Sequence, residues 1–255
     1  IMASCCVGDV YRIIDRFAPF ETAVQGDNVG LLVGRMDRPV HHVLTALDVT
    51  PAVVEEAKRL DAQVVVTHHP LMFAPIQRLD EAEPEAALIC EMVRSGLSMI
   101  AAHTNLDLAE GGVNDVLAER LGWPVSSVDG FLRIGEWSSP QMLDTLQESV
   151  SQSLGTHVIR FGNPAACVSS FAICSGSGGS EVAHAAEMGA QVLLTGEIKH
   201  NQALEAMARG MSVLAAGHQA TEICAAELLA KHLQDGLNAV ELKVRVAVSE
   251  TDPFA

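Results

Sequence analysis

The chain has little positive charge. Its 255 residues include 16 Lys and Arg against 32 Asp and Glu, which gives a formal net charge of −16. A surface of this kind repels the phosphate backbone of nucleic acids and anionic membranes. We therefore do not expect nucleic acid as a partner. A small anionic substrate would need a local source of positive charge, and bound divalent cations are such a source.

Cysteine pairs and long apolar runs are also missing. None of the six cysteines stands in a CxxC pair, and their spacing shows no disulfide framework, so we expect reduced thiols. No apolar run reaches the length needed to span a membrane. The first residues lack the basic and then apolar layout of a secretory signal peptide. These absences predict a soluble, cytoplasmic protein.

Aromatic residues make up only 4% of the chain, although 49% of it is hydrophobic. This composition favours helices packed on a sheet over an aromatic-rich sandwich. The uninterrupted run Val64–Val66 predicts a strand buried on both faces, as in a parallel sheet. His68 and His69 follow it directly. Ligands of open α/β sheets bind outside the carboxyl ends of such strands, so we expect a functional site there.

The second half of the chain repeats the first. Residues 62–67 match residues 190–195, and residues 96–102 match residues 210–216. The two matches occur in the same order along the chain. We therefore predict an α/β fold made of two similar halves, with an internal repeat.

The repeat also predicts the domain organisation. We expect a first α/β domain over residues 1–125, to which residues 239–255 return, and a second α/β domain over residues 126–238. Two such halves that face each other would bring their strand ends to one cleft. A dinuclear metal site is expected in that cleft.

Side chains that bind metals follow the predicted strands of both halves. Neighbouring residues of an extended chain point to opposite sides, so His68 and His69 suit two adjacent ions better than one. His218 and Glu222 are four residues apart and share one face at the start of a helix. Three imidazoles and two carboxylates suit two divalent ions such as Zn, Fe, Mn, Co or Ni. The full set is His68, His69, Asp107, His218 and Glu222.

Several short motifs, spread over nearly the whole chain, occur together. They are Gly26–Leu31, His68–Leu71, Ala102–Asp107, Gly111–Asp115, Gly176–Gly179 and Gly217–Glu222. Together they resemble the motifs of the GTP cyclohydrolase I type 2 homologue family, which is also called the NIF-three-like or dinuclear metal centre family.

The resemblance implies two similar α/β domains, a two-metal site between them and a ring-shaped homohexamer. It also implies how the ligands are shared. His69 and Asp107 would hold one ion. His68 and His218 would hold the other, and Glu222 would bridge both.

Two functions are compatible with these residues. The first is a metal-dependent hydrolase of a small phosphate-bearing or nucleotide-like substrate. Water activated by the ions would be the nucleophile, and His103 would transfer protons. The second is a non-catalytic metal-binding ring that acts as a chaperone or interaction scaffold. The open coordination expected beside so few protein ligands favours the hydrolase.

Other polar residues keep two interpretations each. His103 has either the proton-transfer role or a plain loop hydrogen bond. Asn105 either ties down the loop that presents Asp107 or caps a turn. The Gly176–Ser180 loop either cradles a phosphate with its N–H groups or forms a tight strand-to-helix turn. Glu197, together with His200, lies either at the rim of the cleft or at a solvated helix start.

Overall fold

The structure is a computed structural model that describes residues 5–254. It contains two compact units. The first combines the residues up to Ala109 with those from Ala225 onward, and the second is Glu110–Cys224. The domains predicted from the sequence cover residues 1–125 with 239–255 and residues 126–238. Both of their boundaries lie later in the chain than the boundaries of the two units, and the predicted domain limits stay a prediction. Their outermost residues, 1–4 and 255, lie outside the described part of the chain.

Eleven strands are present among residues 5–254. They are β1 (Gly30–Val33), β2 (His42–Ala46), β3 (Val64–Thr67), β4 (Ser98–Ala101), β5 (Val125–Asp129), β6 (Leu132–Met142), β7 (Ile159–Phe161), β8 (Cys167–Cys174), β9 (Val192–Thr195), β10 (Ser212–Ala215) and β11 (Arg245–Val248). The sheet of the first unit has the order β1-β4-β3-β2-β11, and that of the second unit has the order β5-β6-β8-β9-β10-β7.

Ten α-helices accompany the strands in the described residues. They are α1 (Val7–Phe17), α2 (Pro51–Arg59), α3 (Pro84–Arg94), α4 (Thr104–Leu108), α5 (Val113–Leu121), α6 (Leu143–Leu154), α7 (Val182–Glu187), α8 (His200–Ala208), α9 (His218–Glu222) and α10 (Cys224–Ala239). Short 3-10 segments occur at Phe20–Thr22 and Gly178–Glu181. Local signals set several ends: Thr50 caps α2 by accepting from the N–H of Val53, and Gly122 in the left-handed conformation ends α5.

Both sheets contain the same arrangement of four strands. In the first unit, β1 is antiparallel to β4, and β3 and β2 continue the sheet in parallel. In the second unit, β7 is antiparallel to β10, and β9 and β8 continue in parallel. Even the register agrees, because Val64 pairs with Ser98 as Val192 pairs with Ser212. The predicted α/β fold with an internal repeat is therefore confirmed.

A close backbone contact recurs in both copies. Gly34 has a φ of 110°, and a β-carbon there would overlap Ser98, the first residue of β4. Gly162 has a φ of 143°, and a β-carbon there would overlap Ser212, the first residue of β10. Only glycine combines this conformation with the close approach. In both units, a glycine directly after the edge strand, β1 or β7, thus packs closely against the first residue of the neighbouring strand.

In each sheet, the strands that precede the predicted site residues are buried. Every residue of β3, β4, β9 and β10 is buried. In the first unit, Val53, Val54 and Ala57 of α2 pack in one core cluster with Leu44 and Val65 of the sheet. Full burial of one such aliphatic side chain contributes about 1.5–3 kcal/mol. These strands therefore form rigid supports, and the residues that follow their carboxyl ends are held in place.

Among residues 5–254, none of the helices combines the length and the apolar character that crossing a bilayer requires.

Candidate metal centre

Three histidines of the first unit lie together at the carboxyl ends of β3 and β4. His68 and His69 follow β3 directly, and His103 lies just beyond β4. One ring nitrogen of each histidine lies within 4.8 Å of those of the other two. The structure thus brings together two predicted metal ligands and the predicted proton-transfer residue.

The imidazoles of His68 and His69 are each oriented by an acceptor. Nδ1 of His68 donates to the carbonyl oxygen of Ala102 over 2.9 Å. Nδ1 of His69 lies 2.8 Å from Oδ1 of Asp48. A proton on Nδ1 leaves the lone pair on Nε2. Histidines that bind metal ions are oriented in this way, by a carbonyl or carboxylate on the second ring nitrogen.

His103 is held by a buried carboxylate. Its Nδ1 lies 2.9 Å from Oδ1 of Asp27. Oδ2 of Asp27 accepts from the N–H of Thr104 over 3.1 Å and from the hydroxyl of Thr104 over 2.5 Å. Burial opposes ionisation of Asp27, but the hydrogen bonds from His103 and Thr104 outweigh it and hold the pKa of Asp27 well below its usual range. An ionised Asp27 therefore fixes the orientation of His103.

Asp107 lies on the short helix α4 and is 8% exposed. Its Oδ1 is 3.6 Å from Nε2 of His68. The neighbouring Asn105 is fully buried and donates from Nδ2 to the carbonyl oxygen of Ala18 over 2.7 Å. Asn105 thus ties α4 to the residue after α1. Of its two interpretations, the tether that presents Asp107 is the one seen.

The second unit carries two further candidate ligands, His218 and Glu222, on α9. Nε2 of His218 lies 2.8 Å from Oε2 of Glu222, four residues further along. Nδ1 of His218 lies 3.2 Å from Oε2 of Glu197. The hydroxyl of Ser177 donates to the same oxygen over 3.0 Å. Glu197 therefore orients His218 as Asp48 orients His69.

The glycine-rich loop of the second unit is a tight turn. The N–H of Gly176 donates to the hydroxyl oxygen of Thr221 over 3.1 Å. The N–H of Gly178 donates to the hydroxyl oxygen of Thr195 over 3.0 Å. Because these two N–H groups bond within the unit, they are not open to a phosphate. The strand-to-helix turn is the better interpretation of residues 176–180.

The other histidines lie outside the metal-compatible groups found among residues 5–254. His42 bonds through Nδ1 to the carbonyl oxygen of Leu60 over 2.8 Å. His232 stacks on Phe17 with ring centroids 3.5 Å apart. The remaining four are His41, His157, His184 and His200.

Three carboxylates that orient histidines were not identified as such from the sequence. They are Asp27, Asp48 and Glu197, which contact His103, His69 and His218. Asp27 has a sequence signal, because it lies in the Gly26–Leu31 motif. Asp48 lies just past the end of β2 at Ala46. Glu197 has the solvated position before α8, with its side chain 60% exposed, and it contacts His218 in addition.

The fold and these side chains define a class of protein. It is an α/β protein with an internal repeat, in which histidines that could hold a divalent metal ion follow the parallel strands. A family model described as Duf34/NIF3 (NGG1p interacting factor 3) matches residues 5–253. The chain belongs to this family.

Known proteins resemble the chain over nearly its full length. A Lactococcus lactis protein named "GTP cyclohydrolase 1 type 2 homolog" is 31% identical, with 97% of this chain and 98% of the relative covered. A Bacillus cereus protein related to NIF3 has a similar structure, with a TM-score of 0.91 and 24% identity over 99% of both chains. A Staphylococcus aureus protein gives a TM-score of 0.90 and 28% identity over 99% of both chains.

Proposed function

We propose that the protein is a divalent-metal-dependent hydrolase of a small phosphate-bearing or nucleotide-like substrate. The observation that supports this most is the shared orientation of four histidines. Nδ1 of His68, His69, His103 and His218 is in each case held by a carbonyl or carboxylate oxygen. Imidazoles held with a lone pair on Nε2 are suited to binding metal ions and accepting protons.

In this proposal, the metal ligands are His68, His69, Asp107, His218 and Glu222. His69 and Asp107 would hold one ion, His68 and His218 would hold another, and Glu222 would be shared by both. This sharing follows the resemblance in the sequence, and the dinuclear arrangement stays a prediction. The donors, imidazole nitrogen and carboxylate oxygen, suit Zn, Fe, Mn, Co or Ni. When bound, such ions lower the pKa of water and polarise a substrate oxygen.

His103 is the proposed catalytic residue. Its Nδ1–H faces the ionised Asp27, so Nε2 is the nitrogen that accepts a proton. The carboxylate of Asp27 stabilises the imidazolium that forms and keeps the ring in one orientation. His103 can then return the proton to a leaving group. Asp27 acts through His103 and is a positioning residue.

The substrate class follows from charge and from the relatives. The net charge of −16 disfavours anions unless a cation is bound locally. Relatives carry the name "GTP cyclohydrolase 1 type 2 homolog", which points to hydrolysis of a nucleotide. We further propose a cytoplasmic homohexamer. The reduced thiols predicted from cysteine spacing support the location, and the sequence resemblance supports the assembly.

A substrate panel tests the proposal. Nucleotides and phosphoesters are assayed with purified protein loaded with Mn, Zn, Fe or Co, and product release is measured. We expect turnover of at least one compound, its loss on chelation, and normal turnover in the surface variant His184→Ala. Protein that holds its metal ions but turns over nothing would contradict the hydrolase. The non-catalytic metal-binding scaffold would then be the better account.

A further inference from the structure

The second unit contains a pocket of about 690 Å³ at the carboxyl ends of β8, β9 and β10. Ser177 follows β8, Glu197 and Lys199 follow β9, and Gly217 follows β10, and all four line the pocket. This edge is where ligands of α/β sheets bind. The volume also lies within the range of small-molecule sites, roughly 300–1,000 Å³.

Lys199 gives this pocket a positive charge. It is exposed, and it forms no ion pair with the described residues. Three other cations of the same unit are already paired: Arg133 with Asp115, Arg160 with Asp144, and Arg209 with Glu205. An ammonium group that lines a pocket and has no carboxylate partner is suited to pairing with an anion.

The pocket also contains a carboxylate, Glu197, but its charge is engaged. Oε2 of Glu197 lies 3.0 Å from the hydroxyl of Ser177 and 3.2 Å from Nδ1 of His218. The negative group is therefore held toward α9. This contact also links the pocket to His218, which is a proposed metal ligand.

The pocket also has apolar lining residues. Ile159 on the edge strand β7 lines it and is 53% exposed. Phe161 and Ile198 line it as well, and both pack against one core cluster of the second unit. Their anchoring gives a fixed apolar surface beside the charge of Lys199. A flat or apolar group would be desolvated on this surface.

We propose that this pocket binds a small organic anion, with an apolar or aromatic body against Ile159 and Phe161 and one phosphate-type or carboxylate-type group on Lys199. The identification of this molecule as the substrate rests on the proposed function, whereas its binding in the pocket does not. Through Glu197, the bound molecule lies beside His218. The pocket thus selects the substrate by its body and its single anionic group.

Calorimetric titration of the full chain with 1-naphthylphosphonate tests the pocket. The compound has the proposed body and anion but cannot be hydrolysed at a P–O–C bond. The titration is done in excess chelator, so that metal ions do not contribute. We expect Lys199→Gln to weaken binding about tenfold or more, because a charge-assisted hydrogen bond is lost. Arg209→Gln, the same charge change at the end of α8, should bind as the parent does.

Further probes separate the two parts of the ligand. Methylphosphonate, which lacks the body, should bind more weakly than 1-naphthylphosphonate, and Ile159→Ser should reduce that difference. 1-Naphthoate tests whether a carboxylate serves as well as a phosphonate. 1-Naphthylmethylamine, a cation with the same body, should not bind. This comparison uses only the parent protein, so it does not depend on the folding of a variant.

Three outcomes would overturn the proposal. They are no binding of either naphthyl anion, equal losses in Lys199→Gln and Arg209→Gln, and binding that appears only when metal is added. The proposed hydrolase can fail separately. Binding in chelator that depends on Lys199, together with no turnover of any substrate, would leave the pocket established and remove the catalytic function.

Discussion

Gly176 leaves the space that the carboxylate of Glu222 occupies. A β-carbon at Gly176 would overlap Oε1 of Glu222 and would lie 3.3 Å from Nε2 of His218. Gly176 has a φ of 56°, in the left-handed region that favours glycine. The positions of two proposed metal ligands therefore depend on the absence of a side chain at residue 176.

Gly176→Ala should weaken metal binding. The added methyl group displaces Glu222, and changes that disturb the orientation of a metal ligand typically cost about 10-fold to 100-fold in metal affinity. The matched control is Gly189→Ala, because Gly189 has a φ of 83° and no atom within 4 Å of its β-carbon position. Competition titration with a coloured chelator measures both. Equal losses in the two variants would show that backbone strain, and not the contact with Glu222, is responsible.

The ligand assignment predicts different effects of two alanine variants. The parent should retain about two divalent ions per chain after dialysis, as two-metal sites do. Glu222→Ala removes the bridge and should lower the occupancy of both sites. His69→Ala should lower mainly one. Elemental analysis measures the content, with His184→Ala as the control. Full occupancy in Glu222→Ala would remove this residue from the site.

The repeated part of the fold was predictable because its signal is local. Val64–Val66 and Val192–Leu194 are uninterrupted apolar runs, as expected for strands buried on both faces, and both are fully buried. Apolar residues also recur at helical spacing over Val7–Phe17, where the structure has α1. The side chains that follow each run could therefore be placed at strand ends from the sequence.

Exposed strands and distant partners could not be predicted in the same way. The sequence of residues 123–138, which contains Trp123-Pro124 and Ser126-Ser127, indicates a joint between the two halves, but these residues contain β5 and most of β6. Four of the five residues of β5 are exposed, so the strand lacks a clear apolar alternation. Asp27 and His103 are 76 residues apart in the chain, and no local pattern reports such a contact.

The low pKa of Asp27 predicts a stability effect that depends on pH. The pKa of this carboxyl is lower in the folded chain than in the unfolded chain, because His103 and Thr104 bond to it despite its burial. Its contribution is complete above the unfolded value, near pH 4, and is lost as the pH falls through the folded value. In chelator at pH 7, Asp27→Asn should lower the free energy of unfolding by about 1–3 kcal/mol.

Denaturant unfolding at pH 7 and below pH 4 measures this effect, and the difference from the parent should shrink in acid. Asp37→Asn is the control. Asp37 pairs with Arg35, but its side chain is 70% exposed, so little stability should be lost. A deficit in Asp27→Asn that stays constant over the whole pH range would contradict the role of the ionised carboxylate.

The assembly prediction rests on the sequence resemblance. We expect a homo-oligomer, and specifically a homohexamer, at micromolar concentration. Light scattering coupled to size exclusion measures the mass, to be compared with 27.0 kDa for one chain. A monomer mass would contradict the prediction. It would also count against a ring-shaped scaffold, since a scaffold of that kind requires the ring.

His103→Gln and Asp107→Asn separate proton transfer from metal binding. A glutamine side chain cannot accept a proton at neutral pH, so His103→Gln should keep its metal content and lose about 10²-fold or more in rate. In Asp107→Asn a neutral amide replaces an anionic ligand, so metal content and rate should both fall. Elemental analysis and turnover of one identified substrate measure the two properties, with His41→Gln as the control. If His103→Gln turns over at the parental rate, His103 transfers no proton. If the metal-free Asp107→Asn variant stays active, the reaction does not need the metal, and the hydrolase proposed here is wrong.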